Sequence, residues 1–399
     1  MLIVQKYGGT SVGTLERIEE VAKRVIKTKK EGNDIVVIVS AMSGETNKLI
    51  EYAEYFSKNP SEREMDMLLS AGERVTSSLL SIALTQMGYP ALAFSGRQAG
   101  IKTDSFHTKS KIELIDPVGI KNALKDGNIV VVAGFQGVDS NGDVTTLGRG
   151  GSDLSAVAIA GALNADICEI YTDVDGIYTT DPRIEPKARK LEKISYDEML
   201  ELASLGAKVL QNRSVELAKK LNINLVTRSS FSDNEGTLIT GDEKMEDVII
   251  SGIALDKNQA RVSIRDLDDK PGTAAKIFKT LSEKEINVDM IIQNVGKDGI
   301  ANLSFTVPQN ELDKALKALD GLSQSFIIES DSHIVKVSIV GIGMKSHSGI
   351  ASKAFEVLAE NGINIEMIST SEIRISIIVD AKYGELAVRL LHNSYGLDA

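Results

Sequence analysis

The 399-residue sequence contains one cysteine, Cys168, four histidines and no tryptophan. A single cysteine excludes a disulfide framework and a cage of thiolate metal ligands, and it is typical of a protein kept in a reducing cytoplasm. The histidines are scattered and no HExxH pattern occurs, which argues against a structural or catalytic zinc site. Since no apolar run reaches ~18 residues and a strand-like run begins at Leu2, we expect neither a membrane span nor a signal peptide.

An excess of positive charge is absent as well. The chain has 45 lysines and arginines against 56 aspartates and glutamates, which gives a formal net charge of −11. Such an acidic surface argues against nucleic acid or an anionic membrane as the main partner. The contents of 42% hydrophobic and 25% charged residues are ordinary for a globular protein. The length predicts about two or three domains.

The first 230 or so residues alternate between short apolar runs and helix-favouring stretches. Continuous apolar runs are typical of strands that are buried on both faces. The runs lie at residues 2–4, 35–39, 91–94, 129–133, 167–171 and 223–226. The apolar stripe of a helix predicted over 14–30 comprises Leu15, Ile18, Val21, Ala22, Val25 and Ile26. With a long helix over 63–87 and a polar hairpin turn at 139–143, this pattern predicts an α/β fold in three layers, a mainly parallel sheet between helices.

After residue 245 or so the elements become shorter and the chain repeats itself. The stretch KPGTAAKIFKTLSEKEINVDMI aligns without a gap with HSGIASKAFEVLAENGINIEMI, so that Gly272 corresponds to Gly349 and Asp289 to Glu366. A VSI strand precedes each stretch, at 262–264 and at 337–339, and the loop between strand and helix is slightly longer in the second copy. A repeat this dense indicates two duplicated domains. Each copy is predicted to be ferredoxin-like, with the order βαββαβ.

The two copies do not end alike. The first copy closes with a strand at 325–330, whereas the chain ends before the second copy has its closing strand. The apolar segment 248–255 is otherwise unassigned, and we expect it to complete the second copy, with the first copy inserted inside it. The predicted domains are therefore an α/β domain at 1–244, a first repeat domain at 258–331, and a second repeat domain formed by 245–257 together with 332–399.

Two glycine-rich loops are candidates for chemistry. The sequence KYGGTSVG at 6–13 follows a strand and precedes a helix, where glycine N–H groups and the helix dipole favour a phosphate and Lys6 supplies a positive charge. It contains no GxxxxGK[ST] pattern, and read alone it is also compatible with a plain turn that has a surface lysine. In TTLGRGGSD at 145–153, three glycines surround Arg149, whose guanidinium can hold a carboxylate at two points. Asp153 could there be merely a helix N-cap.

Three further stretches carry weaker signals. YTDVDGIYTTDPR at 171–183 follows a strand, where open α/β sheets bind ligands, although a polar turn explains it equally well. SAMSGETN at 40–47 offers the hydroxyls of Ser40 and Thr46, and Glu73 lies within a predicted helix. Read alone, those residues are a loop and a solvated helical side chain.

Taken together and in this order, the motifs KYGGTSV, SAMSGETN, GER, LGRGGSD and YTDVDGIYTTDPR resemble those of the aspartokinases of the amino-acid kinase family. The tandem repeat is similar to their paired ACT domains, and the resemblance spans essentially the whole chain. It implies ATP-dependent phosphorylation of the β-carboxylate of L-aspartate to 4-phospho-L-aspartate, with Mg²⁺ accompanying ATP. That reaction is the first step toward lysine, threonine and methionine.

The resemblance also implies roles for single residues. Lys6 and Asp153 are implied as the catalytic pair, Lys6 on the transferring phosphoryl group and Asp153 positioning it. The implied ATP site comprises Lys6, Gly8, Gly9, Thr10, Ser40, Ser152, Thr172, Asp173, Tyr178, Asp181 and Arg183. The implied aspartate site comprises Ser40, Thr46, Glu73, Arg149, Gly150, Gly151 and Ser152, and no residue is implied as a resident metal ligand.

Regulation is expected in the repeats. The resemblance implies an amino-acid effector, lysine with or without threonine. The first copy alone has an acidic loop, DLDDKPG at 266–272, so we place the effector there, although such loops are often solvated turns. The expected effector residues are Asp266, Thr273, Asn287, Val288, Asp289 and Gln293, with Asn364 and Glu366 contributed across a subunit interface. Because open sheet edges need cover, we expect the repeats to pair chains into at least a homodimer.

Two alternatives remain at this point. Another acyl-phosphate kinase of the same fold, acting on glutamate or acetylglutamate, is disfavoured by the paired repeats. A catalytically silent amino-acid sensor is disfavoured by the intact Lys6, Arg149 and Asp153.

Overall fold

The structure is a computed structural model, and it describes residues 1–205, 209–241, 250–295, 299–322, 326–345 and 349–398. Contacts divide the chain into two compact units, which we describe separately. Unit 1 comprises Met1–Ile177, Lys190–Ser204 and Lys208–Lys244, and unit 2 comprises Tyr178–Arg189, Leu205–Ala207 and Met245–Ala399. The predicted boundary between 244 and 245 lies outside the described residues. None of the described helices is both long and apolar enough to cross a membrane.

Unit 1 is built on an eight-stranded sheet with the order β10-β12-β11-β9-β1-β2-β6-β3. The strands of unit 1 are β1 (Leu2–Tyr7), β2 (Asp34–Val39), β3 (Ala91–Phe94), β4 (Ile101–Thr103), β5 (Ile112–Ile115), β6 (Ile129–Ala133), β7 (Gln136–Val138), β8 (Val144–Thr146), β9 (Ile167–Thr172), β10 (Lys193–Ser195), β11 (Leu225–Ser229) and β12 (Thr237–Thr240). Its helices are α1 (Leu15–Lys30), α2 (Glu45–Phe56), α3 (Glu62–Leu69), α4 (Ala71–Gln86), α5 (Val118–Lys125), α6 (Gly151–Leu163), α7 (Tyr196–Ser204) and α8 (Asn212–Leu221). The pairings in the large sheet are parallel except between β11 and β12.

Helices cover both faces of this sheet, which confirms the predicted three-layer α/β fold. One face carries α1 and α4 against the side chains of Ile35, Val37 and Val39. Helix α6 packs on β1, β2 and β9 and is buried along nearly its whole length. The apolar runs of β2 and β6 are fully buried because both of their faces are covered.

The smaller sheet of unit 1 has the order β5-β4-β7-β8. Its β7–β8 hairpin turns where the sequence predicts, since the Asp139 N–H donates to the Asp143 carbonyl over 3.0 Å. The turn matters for function because β8 leads directly into the second glycine loop.

Two helix predictions need correction. In α1 the predicted stripe is buried, but Leu15 is 62% exposed because it lies in the first turn, N-terminal to the part that packs on the sheet. The long helix expected over 63–87 is two helices, α3 and α4, that meet at Ser70. The carbonyl of Ser70 accepts hydrogen bonds from the side chains of Gln136 and Arg74, at 2.9 and 3.3 Å. A distant side chain thus takes a carbonyl that a continuous helix would use internally.

Unit 2 is a six-stranded antiparallel sheet with the order β14-β15-β13-β16-β18-β17. Its strands are β13 (Gly252–Asp268), β14 (Ile291–Val295), β15 (Ile300–Val307), β16 (Ile327–Val340), β17 (Met367–Thr370) and β18 (Arg374–Asp380). Its helices are α9 (Thr273–Ser282), α10 (Leu312–Asp320), α11 (Ile350–Glu360) and α12 (Gly384–Ser394). The first repeat packs α9 and α10 on its strands, and the second repeat packs α11 and α12 on its own.

The strands β13 and β16 are shared between the repeats. Residues 252–256 of β13 pair with 336–340 of β16 in the second repeat, whereas 261–265 of β13 pair with 327–331 of β16 in the first. The separate strands expected at 325–330 and 337–339 are therefore parts of one continuous strand. Of the apolar segment 248–255, residues 248 and 249 lie outside the described residues.

Candidate active site

The site forms where four parallel strands end together. Tyr7 pairs with Val39 and with Tyr171, and Val39 pairs with Ala133. The loops that follow β1, β2, β6 and β9 therefore leave the same edge of the sheet, the edge at which open α/β sheets bind ligands. Three of the motifs found in the sequence extend into these loops.

Lys6, at the end of β1, contacts α6, the helix that follows the second glycine loop. Its Nζ lies 2.6 Å from Oδ1 of Asp153, and both residues are buried at 8% exposure. Gly150 is the N-cap of α6, so the reading of Asp153 as an N-cap is wrong. Asp153 lies one turn further along and gives its carboxylate to Lys6 instead. Oδ1 makes no contact with the angles of a hydrogen bond among the described residues, so this atom still has capacity for a donor.

The first glycine loop runs close to its neighbours. The Gly8 N–H donates to the Tyr171 carbonyl over 3.2 Å, and a Cβ on Gly8 would lie 3.4 Å from Nζ of Lys6. A Cβ on Gly9 would lie 3.1 Å from the carbonyl oxygen of Ala41. Larger residues would thus crowd the lysine and the loop after β2, which is a physical reason for two glycines here. Thr10 is exposed beside them.

The second glycine loop presents Arg149 to solvent. The guanidinium is exposed and has no hydrogen-bond or ion-pair partner within the described ranges. Gly150 has a φ of +72°, and a Cβ there would lie 1.8 Å from Cγ of Gln211, so this position requires glycine. A Cβ on Gly151 would lie 2.9 Å from Cβ of Leu147. Such a loop can hold a carboxylate at the arginine and next to its own backbone.

Ser152 and Ser40 both lie next to the strand ends. Ser152 is 7% exposed, and its Oγ would lie 2.9 Å from a Cβ on Gly134, the residue that follows β6. The half-buried Ser40 follows β2, and its N–H donates to the Tyr7 carbonyl over 3.1 Å. Thr46 lies in the first turn of α2 and is half-buried.

Glu73 is a buried carboxylate rather than a solvated one. It lies on α4 at 5% exposure, and its Oε1 accepts a hydrogen bond of 3.1 Å from the Ala41 N–H. Its Oε2 is buried without a hydrogen-bond partner among the described residues. Burial raises the pKa of Glu73 to about 7, and the hydrogen bond from Ala41 opposes that shift. A ligand ammonium next to this carboxylate would satisfy the free oxygen.

The residues predicted for the nucleotide fall into both units. Thr172 ends β9 in unit 1 and Asp173 follows it, and the Thr172 hydroxyl donates to the Asp173 carboxylate over 3.0 Å. Tyr178, Asp181 and Arg183 belong to a segment that contacts assign to unit 2, where Arg183 forms an ion pair of 2.7 Å with Asp181. The nucleotide role of those three residues stays a prediction.

Two residues that the sequence did not suggest hold the second glycine loop. The Gln211 amide donates to the Arg149 carbonyl over 2.6 Å, and Arg213 donates to the Leu147 carbonyl over 2.8 Å. Both lie at the start of α8, far along the chain. No local pattern distinguishes them from other polar residues at a helix start.

In unit 2, a cavity of about 330 Å³ lies beside the acidic loop of the first repeat. It is lined by Leu267, Asp268, Asp269, Lys270, Pro271, Gly272, Thr273, Ala274, Gln293, Ala301 and Leu303. Thr273 and Gln293 were predicted for the effector, while Asp266 is exposed with a φ of +59° and is not part of the lining. The volume is within the ~300–1,000 Å³ range of small-molecule sites.

The other predicted effector residues lie elsewhere in the repeats. Asn287 and Asn364 are exposed at corresponding positions, and Val288 packs against the core of the first repeat. Asp289 forms an ion pair with Lys336, and Glu366 forms one of 2.5 Å with Arg261. Both acidic residues are therefore paired within this chain.

The matches to known proteins cover the whole chain. The model of the Amino acid kinase family matches residues 1–229, and an ACT domain model matches residues 264–321 and 337–395. An aspartokinase of Helicobacter pylori is 59% identical over 404 residues, which cover 100% of this chain and 100% of that protein. An aspartate kinase of Pseudomonas putida is 54% identical over 403 residues, 100% of this chain and 98% of that protein.

Solved structures give the same relationship. The structure of E. coli aspartokinase III in complex with lysine and aspartate superposes with a TM-score of 0.79 at 26% identity and covers 99% of both chains. The structure of the same E. coli protein in complex with aspartate and ADP has a TM-score of 0.78 at 25% identity, again over 99% of both chains.

Proposed function

This chain belongs to the aspartokinases of the amino acid kinase family, and we propose which of its residues carry out and regulate the aspartate kinase reaction. The enzyme phosphorylates aspartate with ATP. The observation that supports our assignment most directly is the Lys6–Asp153 pair, 2.6 Å apart, between two glycine loops at the strand ends of unit 1. The product is 4-phospho-L-aspartate, and we place the reaction at the start of lysine, threonine and methionine biosynthesis in the cytoplasm.

The reaction needs charge compensation more than proton transfer. The side chain of aspartate has a reference pKa of about 3.9, so at neutral pH it is already a carboxylate and needs no general base. One carboxylate oxygen forms a bond to the γ-phosphorus of ATP while the bond from that phosphorus to the β-phosphate oxygen breaks, and ADP leaves. The obstacle is that an anion approaches a polyanion. Cations and oriented N–H groups must offset this repulsion and stabilise the charge of the transition state.

The residues of unit 1 suit this task. Lys6 would neutralise the transferring phosphoryl group, and Asp153 would hold its ammonium in place. Gly8, Gly9 and Thr10 would lie along the phosphates, where the N–H groups of Gly9 and Thr10 can donate, since glycine leaves the backbone accessible.

For the substrate aspartate, two charged groups of opposite sign are free to bind. The Arg149 guanidinium would bind the α-carboxylate, and the unpartnered Oε2 of Glu73 would accept the ammonium. Ser152 and Thr46 would add hydroxyl donors. Ser40 would lie between the aspartate and the nucleotide.

For the nucleotide, we propose Thr172, Asp173, Tyr178, Asp181 and Arg183. Magnesium would arrive with ATP and supply positive charge on the phosphates. We expect few direct protein ligands to magnesium, because two carboxylates of the proposed site have other tasks: Asp153 holds Lys6, and Glu73 receives the ammonium of aspartate.

The second proposal concerns regulation by the ACT domains. We infer that an end-product amino acid, lysine with or without threonine, binds beside the acidic loop of the first repeat. Asp268 and Asp269 can accept an ammonium there, while Lys270 and the start of α9 can hold a carboxylate. The pairing of 252–256 with 336–340 supports the proposed division into 1–244, an inserted domain at 258–331, and a second domain of 245–257 with 332–399.

Assembly is proposed from the sheet edges. The edge strands of the unit 2 sheet are β14 and β17, and Ile291 and Ile368 on them are 52% and 39% exposed. Such edges favour pairing with a second chain, so we expect at least a homodimer through the ACT domains. Light scattering at micromolar concentration, with and without effector, measures the mass, and a monomer under both conditions would exclude this assembly.

A coupled assay of ADP release tests the reaction. We expect release with ATP and L-aspartate, and none above background with L-glutamate or without an acceptor. Equal rates with glutamate would contradict the substrate assignment. Repeating the assay with lysine, threonine and both together tests the proposed effectors, and full activity in all three mixtures would contradict them.

A further inference from the structure

Another buried carboxylate of unit 1, Asp66, lies outside the site described above. It belongs to α3 and has no exposed surface. A buried charge is costly unless it is fully hydrogen-bonded, so its retention calls for a specific task. We infer that Asp66 is a positioning residue for aspartate binding, because it anchors the loop that carries Arg149. This inference rests on the proposed role of Arg149.

The carboxylate joins two distant segments of the chain. The Thr108 N–H donates to Asp66, at 3.0 Å from both oxygens, and His107 Nδ1 lies 2.7 Å from Oδ2. The hydroxyl of Thr146 donates to Oδ1. Residues 107–108 precede β5, whereas Thr146 is the last residue of β8. Asp66 therefore ties both segments to the same point on α3.

The tie acts directly on the second glycine loop. Arg149 follows closely after Thr146, and Gly148, which lies between them, is next to the anchored segment. A Cβ on Gly148 would be 3.2 Å from the Thr108 carbonyl oxygen. The Ser110 N–H also donates to the Thr146 carbonyl over 2.9 Å. The loop thus begins between two segments that Asp66 holds.

The opposite side of the loop is held by α8. Gln211 donates to the Arg149 carbonyl and Arg213 to the Leu147 carbonyl, over 2.6 and 2.8 Å. The Arg149 side chain has no partner within the described ranges. Its position is therefore set by these backbone contacts and by the Asp66 anchor, which fix the backbone from which it extends. A guanidinium that binds a carboxylate at two points needs its backbone held in such a fixed position.

Backbone strain at the anchor supports the inference. Thr108 has a φ of +64°, a conformation that a β-branched residue rarely adopts. Strain of this kind persists where the surroundings determine the conformation, and it is concentrated near functional sites. Here the strained residue is the one whose N–H donates to Asp66.

Two neighbouring threonines on β8 provide a matched test. Thr146 bonds to Asp66, while the adjacent Thr145 bonds to Thr103 over 2.6 Å, and both are buried. Threonine-to-valine replacement removes one hydroxyl at either position with little change of shape. We expect Thr146→Val to raise the KM for aspartate about fivefold or more, because an ångström-scale misplacement of a binding group is costly. The KM for ATP should change less than about twofold, and Thr145→Val should leave both KM values within about twofold of wild type.

A second background shows whether the effect acts through Arg149. Arg149→Ala should itself raise the KM for aspartate, and Thr146→Val in that background should add nothing. Asp66→Asn should raise the KM for aspartate as Thr146→Val does. The variant that combines Asp66→Asn with Thr146→Val should have a KM for aspartate no higher than that of the more affected single variant. Circular dichroism and thermal unfolding of each variant verify that it is folded.

The outcomes separate the inference from the function on which it rests. If Arg149→Ala leaves the KM for aspartate unchanged, the proposed role of Arg149 is wrong. If Arg149→Ala raises it but Thr146→Val does not, Asp66 is not a positioning residue. The same conclusion follows if Thr145→Val has an equal effect, or if Thr146→Val raises the KM further in the Arg149→Ala background.

Discussion

Two lysine–aspartate pairs of this enzyme use the same chemical groups in different surroundings. In unit 1, the side chains of Lys6 and Asp153 are 11% and 12% exposed, between two glycine loops. In unit 2, the side chain of Lys336 is 3% exposed and that of Asp289 is 36% exposed, between two repeats of one sheet. The first pair faces loops whose glycines leave room for a ligand, whereas the second is surrounded by its own repeat partners.

The pair in unit 2 has a counterpart related by the internal repeat. Lys336 corresponds to Arg261, since each immediately precedes a VSI strand, and Glu366 corresponds to Asp289 in the aligned stretches. Each basic residue pairs with the acidic residue of the other repeat: Lys336 with Asp289, and Arg261 with Glu366.

A second pair of acids follows the same internal repeat. Lys336 lies 3.8 Å from Asp256, and Arg261 lies 3.6 Å from Asp331. Asp256 and Asp331 hold equivalent positions, because each comes shortly before the basic residue of its own strand. Asp256 and Asp331 lie in the same repeat domain as their basic partners. Of these contacts, only those of Lys336 with Asp289 and of Arg261 with Glu366 join the two repeats, and we expect these to specify how the repeats pair.

The comparison teaches that a buried ion pair does not reveal its use by its own geometry. Removing the acidic partner leaves a buried lysine charge unpaired in either case, which is expensive. What differs is whether a ligand can take the place of the lost partner. In unit 1 a phosphate would share Lys6 with Asp153, so we expect this pair to affect catalysis, and we expect the unit 2 contacts to affect regulation and stability.

The largest expected effect is that of Lys6→Ala. This change should lower kcat by about 100-fold or more, the scale typical of a lost electrostatic stabiliser of the transition state. Nucleotide affinity should change far less, because the glycine loop N–H groups remain. Steady-state kinetics and nucleotide titration measure the two quantities. The matched change in the other pair, Lys336→Met, should lower the midpoint of thermal unfolding and keep kcat within about threefold of wild type. A Lys6→Ala enzyme with a nearly normal kcat would contradict the assignment.

Regulation should respond next most strongly, in Asp289→Ala. This change should leave kcat near wild type and raise the inhibitor concentration needed by about tenfold or more, because coupling energies of ~1–3 kcal/mol suffice for such shifts. The inhibitor titration is repeated with Glu329→Ala, which removes an exposed ion pair with Arg265 in the same repeat and should change nothing. Retained inhibition in Asp289→Ala would contradict a role of Asp289 in regulation, and loss of catalysis in step with inhibition would show that its effect is not confined to regulation.

The sequence predicts the first pair better than the second for a physical reason. Apolar runs and glycine loops are local patterns, so the strand ends and both loops could be located directly. The contact between Lys6 and Asp153 follows from the parallel order of β1 and β9 with α6 packed on them. The Ser70 break and the tie at Asp66 could not be located this way, because each depends on a bond to a segment that is distant along the chain.

The crossed ion pairs were missed although a signal was present. A basic residue precedes the VSI strand in both repeats, as Arg261 and Lys336. That correspondence shows that the two positions are equivalent. It does not show which acidic residues they contact, because Asp289 and Glu366 lie in the opposite repeat and approach their partners only when both repeats join one sheet. The sequence alone therefore favours an effector role for Asp289, whereas the structure pairs it with Lys336.

The smallest expected effect concerns Glu73, a buried carboxylate that has no cationic partner among the described residues. With a pKa of about 7, raised by burial, it is mostly protonated at pH 6 and mostly ionised at pH 8. In the unfolded chain a glutamate has a pKa of about 4.3, so the stability that this group contributes is present below that pH and is lost as the pH rises toward 7. Substrate binding has the opposite sign, because the ammonium of aspartate favours the ionised carboxylate. The KM for aspartate should therefore fall by up to about tenfold between pH 6 and pH 8.

The matched variant for this pH dependence is Glu73→Gln. It keeps the hydrogen bond from the Ala41 N–H but cannot ionise, so the KM for aspartate should stay near its low-pH value across the range. The KM for ATP serves as the internal control, because Glu73 is proposed to contact only the aspartate. The measurement thus asks whether Glu73, like the Lys6–Asp153 pair, is completed by a ligand. A flat profile in the wild-type enzyme, or the same slope in Glu73→Gln, would show that Glu73 does not receive the substrate ammonium.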